Sequence, residues 1–581
     1  KRGGAAINMT SFNIERLPFD KGAVSTWAET NPRHKNWPVV YTIEGSDEIY
    51  VGESTNVANR MFQHLAVEQR QHLKKIKVIL DDRFNKSVCL DLESQLIRYL
   101  AADSKYKVLN GNHGITDADY FERDRYRETF NDLFEELLKE GVFTRSIPDI
   151  VNSDLFKFSP FKALNTDQSV AIEGVLEKLF EDLEHKSDSP IVIQGDPGTG
   201  KTIVAVYLMK LLVDIAKSEP DEQLDSDSMF SDFFQQGYRE KLANFKIGLV
   251  IPQQSLRKSI EKVFSKTPGL SKSMIMSASD AGSSADHFDL LIVDETHRLN
   301  QRANQSSAPQ NTKFSEINQE LFGNDDLEWT QLDWIKAKST HQLFLLDTAQ
   351  SVKPADLPAE VTIELVAEAK ASNSYFHLAS QMRVTGGTDY IEFVGRLFSG
   401  TQAGQESFGA YDFKFFDDLA EMREAIFAMD KEGGLSRTVA GYAWPWVSKK
   451  NPERFDIEID GIQMQWNQTD KDWINSHTSL QEVGSIHTVQ GYDLNYAGVI
   501  IGPDLGYDPV AKKLIFHREN YHDKKGKENN PRLGIKYTDE DLLNYVVNIY
   551  RVLMTRGIKG TYVYICDENL RSHFRSMTRA V

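Results

Sequence analysis

The sequence predicts an α/β protein: two parallel-sheet lobes over its C-terminal part, preceded by a small α+β domain. Three observations predict it. From residue 165 onward, short apolar runs at 191–194, 247–251, 290–293, 343–346, 437–443, 497–501 and 561–565 alternate with amphipathic helical patterns, and such alternation builds parallel sheets covered by helices. The first and last runs lie too far apart in sequence for one sheet, which predicts two lobes. Residues 39–51 instead hold two β-rich runs joined by Glu44-Gly45-Ser46-Asp47, the signature of an antiparallel hairpin.

Taken in order, residues 1–36 read as an N-terminal extension. The front domain follows over 37–115, with strands at 39–43 and 48–51, a helix at 57–64, a strand at 75–80 and a helix at 87–100. The charged amphipathic stretch 122–140 reads as a connector within a helical linker over 116–160. Lobe 1 is expected over 161–370 and lobe 2 over 371–581. Asn165-Thr166-Asp167-Gln168 opens the first helix of lobe 1, with Thr166 as its cap and Gln168 facing an adenine edge.

The stretch around which the chain is organised is Ile191-Val192-Ile193-Gln194-Gly195-Asp196-Pro197-Gly198-Thr199-Gly200-Lys201-Thr202. A buried strand meets a glycine-rich turn ending in Lys-Thr, and a helical pattern follows, which is the order a triphosphate-binding loop requires. Gly195, Gly198 and Gly200 let backbone N–H groups turn inward with Thr199 between them, Lys201 reaches the β- and γ-phosphates, and the Thr202 hydroxyl ligates Mg²⁺. The run 290–293 delivers Asp294-Glu295-Thr296-His297: Asp294 is placed to hold the metal and Glu295 to polarise the attacking water. The run 343–346 leads through Asp347 to Gln350, an amide placed to sense the γ-phosphate.

Composition bounds the rest. With 581 residues, 40% hydrophobic and 26% charged, the chain is ordinary for a multidomain globular protein. No apolar window is long enough to span a bilayer, so a cytoplasmic location and no membrane partner are expected. The net charge of −18 excludes a generally basic coat but leaves room for local basic grooves. The two cysteines, Cys89 and Cys566, read as buried thiols. Residues 504–539 hold Lys512, Lys513, His517, Arg518, Lys524, Lys525, Lys527 and Arg532, a loop read first as solvated and second as tracking a phosphate backbone. Trp444 and Trp446 read as packing rather than as base-stacking platforms.

The ordered set of Gln168, the 195–202 loop, Ile251-Pro252-Gln253, Asp294-Glu295-Thr296-His297, 346–350, Gln381-Met382-Arg383, His487-Thr488-Val489-Gln490-Gly491-Tyr492-Asp493 and Val552-Leu553-Met554-Thr555-Arg556-Gly557 resembles superfamily 1 helicases. It is most similar to the DUF2075 and Schlafen-like branch. The resemblance implies two RecA-like lobes with ATP and Mg²⁺ between them and single-stranded nucleic acid across them. It also implies Arg383 and Arg556 as arginine fingers, with Arg551 as the fallback for the second, and Gln490 and Asp493 as couplers of nucleotide state to the strand.

A second series, Val39-Val40-Tyr41, Tyr50-Val51-Gly52, Asn56, Arg60, His64, Glu93 and Asn110, resembles the GIY-YIG nuclease domain, keeping only the tyrosine of its first motif. The residue types suit phosphodiester hydrolysis. Tyr41 and Tyr50 orient or deprotonate water, Arg60 stabilises the pentavalent phosphate with His64 on the same helix face, Glu93 binds one Mg²⁺ or Mn²⁺, and Asn110 braces the site. The expected whole is an ATP-dependent DNA helicase or translocase fused to a metal-dependent endonuclease, in bacterial defence against phage or foreign DNA by analogy of architecture. The expected partner is single-stranded or forked DNA, with RNA as the alternative strand and a protein partner or homo-oligomer left open. The competing readings are an ATP-gated nuclease, an RNA-directed ATPase or translocase without unwinding, and a front domain that only docks DNA.

Overall fold

A computed structural model describes residues 12–111, 120–121, 123–218, 230–234, 236–302, 307–347, 355–381, 384–401, 408–469, 473–489, 493–523, 527 and 536–578. The chain forms two compact units. One holds Lys1–Ser169, Val206–Ala243 and Ser259–Lys272; the other holds Val170–Ala205, Asn244–Lys258 and Ser273–Val581.

The first unit is built on a five-stranded sheet of β1 (Phe12–Pro18), β2 (Val39–Glu44), β3 (Glu48–Ser54), β4 (Lys75–Asp81) and β5 (Lys107–Val108), in the order β1-β4-β2-β3-β5. β2 pairs antiparallel with both β3 and β4, and the hairpin turn closes with Gly45 N donating to Glu48 O at 2.8 Å. Side chains on a strand alternate between faces. Val39, Tyr41 and Ile43 therefore pack with Val57 and Met61 of the helix Val57–Ala66, while Val40, Ile49 and Val51 pack on the opposite face with Leu92 and Leu96 of the helix Lys86–Asp103. Asn56 and Asn85 cap these helices, accepting from Asn59 N and Val88 N at 3.1 Å each.

Two expectations are corrected here. Residues 12–18 are not an extension: β1 pairs with β4 from Phe12↔Asp81 to Pro18↔Lys75 and forms the edge of the sheet. The helix Arg123–Lys139 is not a bare connector either. Its Phe130, Leu133, Phe134 and Leu137 are buried with Leu92, Leu96 and Leu100, so it completes the front core.

The second unit contains two parallel sheets. The first takes β6 (Ile191–Gly195), β7 (Ile247–Val250), β8 (Ile275–Met276), β9 (Phe288–Val293), β10 (Ser339–Leu346) and β11 (Tyr375–Leu378), in the order β11-β6-β10-β9-β7-β8. The second takes β12 (Asp412–Phe416), β13 (Ser436–Ala440), β16 (Val483–Ser485), β17 (Leu494–Ile501) and β20 (Gly557–Ile565), in the order β12-β20-β17-β13-β16. Two small hairpins stand apart, β14 (Ile457–Ile459) with β15 (Ile462–Met464) and β18 (Leu505–Asp508) with β19 (Lys513–Phe516). Strands buried on both faces need apolar residues at every position, which is why all seven expected runs are found as strands. The expected boundary at residue 370 moves: β11 pairs with β6, so the first sheet extends through Leu378.

Trp444 and Trp446 pack beside Met422, Ile426 and Trp466, as packing residues. Residues 504–539 supply the β18–β19 hairpin, and Arg518 Nε donates to Asp539 Oδ1 at 2.6 Å; Lys524, Lys525 and Arg532 lie outside the described residues. Among the described residues no helix is long and apolar enough to cross a membrane.

Asp504 yields a test of this core. It is 1% exposed, and Tyr550 Oη donates to its Oδ1 at 2.5 Å. Burial raises its pKa from 3.8 to about 7, so the folded state keeps a proton that the unfolded state has lost, and stability falls as pH rises through that window. Asp504→Asn is expected to raise the thermal midpoint by an amount that is near zero at pH 4, grows up to pH 7 and then levels, measured by circular dichroism at each pH.

Candidate functional site

At the C-terminal end of β6 the chain turns sharply before the helix Lys201–Lys217. A Cβ on Gly195 would lie 2.5 Å from Thr199 Oγ1 and 3.1 Å from Leu378 O. Gly198 and Gly200 have φ of 88° and 84°, a region that costs glycine little. Thr199 Oγ1 donates to Asp196 O at 2.9 Å, and the Lys201 ammonium donates to Gly195 O at 2.6 Å and Asp196 O at 3.0 Å. The same ammonium lies 3.6 Å from Asp347 Oδ2 at the end of β10.

Neighbouring strands bring the acidic pair alongside. Thr202 Oγ1 donates to Asp294 Oδ2 at 2.7 Å, a hydroxyl and a carboxylate adjacent at the end of β9. These hard oxygen donors fit a Mg²⁺ ion, and the buried lysine beside them fits a polyphosphate. Burial and the neighbouring Glu295 charge raise Asp294 to about 6. For Glu295 burial acts in the same upward direction, but the contact with His297 and the charges of Arg298 and Lys201 outweigh it and hold the carboxyl well below its ordinary range.

The remaining expected motor residues divide. Gln350 and Arg383 lie outside the described residues, as does Gln490. Arg556 is 3% exposed, between the helix Asp539–Met554 and β20, and its carbonyl accepts from Leu494 N at 3.1 Å. Arg551 faces the helix Gly387–Ser399, its Nη2 3.6 Å from where a Cβ on Gly395 would stand. Thr166 is not the cap of the helix Thr166–His185. Asn165 is: its Oδ1 accepts from Gln168 N at 2.8 Å, and Gln168 Oε1 accepts from Asn165 N at 3.3 Å in return. Gln168 is buried within this reciprocal cap.

In the front domain, Tyr41 Oη is 2.7 Å from His64 Nε2. The Tyr41 and Tyr50 rings are 6.3 Å apart, and Tyr50 lies 4.8 Å from the His64 ring. Arg60 Nη1 donates to Gln63 Oε1 at 3.0 Å, and the charges of Arg60 and Glu93 both act on the two tyrosines. Asn110 clamps β3, accepting from Val51 N at 3.1 Å and donating to Val51 O at 2.8 Å. Burial pushes Tyr41 well above its ordinary value. Burial and the Arg70 and Arg60 charges push His64 down to about 2, so it is neutral.

Arg70 has no place in the sequence motif. Its guanidinium lies 4.3 Å from the Tyr50 ring centre and donates to His64 Nδ1, which leaves His64 Nε2–H to donate to Tyr41 Oη. It follows the helix Val57–Ala66 in a short 3₁₀ turn, Glu68–Arg70, with no spacing signal to single it out. Gly52 is required by geometry: it pairs with Tyr41, and a Cβ there would lie 2.3 Å from Tyr41 Cζ and Oη. Gly52→Ala is expected to displace the Tyr41 ring and lower stability by about 1–3 kcal/mol, read as a lower thermal midpoint together with a changed tyrosine near-ultraviolet dichroism.

The family model for the Schlafen group 3 DNA/RNA helicase domain matches residues 188–567. The uncharacterized protein YPL245W of Saccharomyces cerevisiae is 27% identical over 430 residues, covering 70% of this chain and 89% of that protein. Among solved structures, arterivirus nonstructural protein 10 (helicase) aligns at 12% identity over 69% of this chain with a TM-score of 0.28, and the chain spans 63% of that protein's length. The Pif1 helicase from Bacteroides in complex with ADP-AlF3 and ssDNA aligns at 10% identity over 70% of this chain and 94% of its own, with a TM-score of 0.24.

Proposed function

The chain belongs to the Schlafen group 3 family through its DNA/RNA helicase domain, and on that premise we propose that it is an ATP-driven motor on single-stranded nucleic acid carrying a metal-dependent nuclease at its front. The observation that supports the motor best is the junction of Thr202 with Asp294 at 2.7 Å beside a lysine folded onto its own loop. Lys201, now on the Gly195 and Asp196 carbonyls and Asp347, would turn to phosphate oxygens, and Thr202 and Asp294 would hold a Mg²⁺ ion. A bound Mg²⁺ supplies charge neutralisation at the phosphates. Glu295 orients and polarises water, and Arg556, with Arg383, stabilises charge developing on the γ-phosphate.

The nuclease reading rests on the convergence of Tyr41, Tyr50, Arg60 and His64, with Glu93 close enough for its charge to act on both tyrosines. Tyr41, kept protonated by its burial, orients the attacking water through a hydroxyl that His64 holds in place. Arg60 carries the extra charge of the pentavalent phosphate, and Glu93 holds one divalent ion, Mg²⁺ or Mn²⁺. A motor that exposes strand to a tethered cutter raises the effective concentration of substrate, and defence against phage or other foreign DNA is the setting this architecture suits.

The test varies ATP and metal independently on plasmid and forked DNA and compares ATP turnover with single-stranded DNA and RNA. The expected result is strand-stimulated turnover and metal-dependent nicking. Turnover that no strand stimulates overturns the motor reading; stimulation by RNA alone selects the RNA-directed alternative.

A further inference from the structure

The geometry points to His297 and Arg298 as a latch that holds Glu295 back until Lys201 gives up Asp347 for a phosphate; the inference rests on the ATPase reading of the same site and names its regulation. Glu295 has φ of 50°, the left-handed region that a non-glycine residue leaves when nothing holds it there. What holds it is the following 3₁₀ turn, Thr296–Arg298. Arg298 Nε donates to Glu295 Oε2 at 3.0 Å, and His297 Nε2 lies 3.1 Å from the same oxygen. Both contacts draw the carboxylate back along its own turn.

The second nitrogen of His297 ties this arrangement to the nucleotide loop. Asp347 N donates to His297 Nδ1 at 3.3 Å. A ring nitrogen that accepts carries no proton, which leaves Nε2 to carry one, 3.1 Å from Glu295 Oε2. Asp347 also presents its carboxylate to Lys201 at 3.6 Å. One line of contacts therefore runs Lys201, Asp347, His297, Glu295, and the two residues between its charged ends, Asp347 and His297, are 2% and 3% exposed. A phosphate that draws Lys201 off Asp347 frees that strand end to shift, and with it the acceptor contact that fixes the imidazole. A γ-phosphate binds the unlatched state better, so by linkage anything that breaks the latch tightens triphosphate binding.

The test uses Arg298→Ala, Arg298→Lys and His297→Asn, which is too short to reach Glu295. Affinities for ATPγS and for ADP are measured by calorimetry on the full chain, and ATP turnover is measured without nucleic acid. Arg298→Ala and His297→Asn are expected to bind ATPγS about fivefold or more tighter with ADP affinity within about twofold, and to turn over ATP faster in the absence of a strand; Arg298→Lys stays near wild type. Unchanged ATPγS affinity, or turnover that falls as it does in Glu295→Gln, overturns the latch. If dichroism shows that Arg298→Ala does not fold, His297→Asn is judged by the same two readings. A wild-type chain without any turnover sinks the ATPase reading instead, whereas an active wild type matched by both latch variants sinks the latch alone.

Discussion

Lys201→Ala is expected to lower ATP turnover by about 10²- to 10³-fold, the cost of removing one preorganised cation from a site where negative charge develops. The loss reaches beyond one missing contact. Lys201 is the first residue of its helix, and its ammonium bridges Gly195 O, Asp196 O and Asp347. Alanine removes the partner of Asp347 and leaves two loop carbonyls without their cation, so the phosphate that does bind is less well placed. The check is steady-state turnover with saturating single-stranded DNA, alongside a thermal melt showing that the variant is folded. Metal-dependent nicking that persists in Lys201→Ala marks the two sites as separable; nicking that vanishes with turnover supports an ATP-gated nuclease.

Glu93→Ala is expected to lower plasmid nicking by about 10²- to 10³-fold while ATP turnover keeps its wild-type rate. Glu93 sits on the helix Lys86–Asp103 between Leu92 and Leu96, which are buried against the front sheet, so its backbone is fixed and its half-exposed carboxylate lies close enough for its charge to act on both tyrosines. On the proposed nuclease reading, removing the carboxylate would take away the side chain that would hold a divalent ion and the charge neutralisation the ion would supply. Glu93→Gln separates charge from shape: it keeps the volume and is expected to be as inactive. Nicking at the wild-type rate in Glu93→Ala overturns the assignment of this cluster as a nuclease.

The parts of the fold that local rules determine are the parts the sequence makes legible. Strands buried on both faces read as continuous apolar runs, and β6, β7, β9, β10, β13, β17 and β20 were all expected from that pattern alone. Strands that owe their existence to a distant partner were not. β1 reads Phe-Asn-Ile-Glu-Arg-Leu-Pro, a half-polar segment whose order comes from pairing with β4 some sixty residues on. β11 has four residues, no two of them adjacent and fully buried, and only β6 makes it a strand. The helix Arg123–Lys139 showed its apolar stripe, but a stripe does not say what it packs against.

The sites divide in the same way. A loop whose chemistry is contiguous, from Gly195 to Thr202, is readable because spacing and role coincide. The choice between Asn165 and Thr166 as cap is not, since both residue types cap helices and backbone geometry decides. Arg70, His297 and Arg298 act on residues of the motifs without belonging to any expected role, and only the turns that follow the helix Val57–Ala66 and β9 reveal them.

β11 lies against β6, the strand that feeds the phosphate loop, and three residues past its end the Gln381 amide donates to Pro197 O within that loop. The polypeptide continues from there toward the second parallel sheet. Gln381 therefore ties the end of the first sheet's edge strand to the rim of the nucleotide loop, so a displacement of that strand end would be transmitted to Pro197.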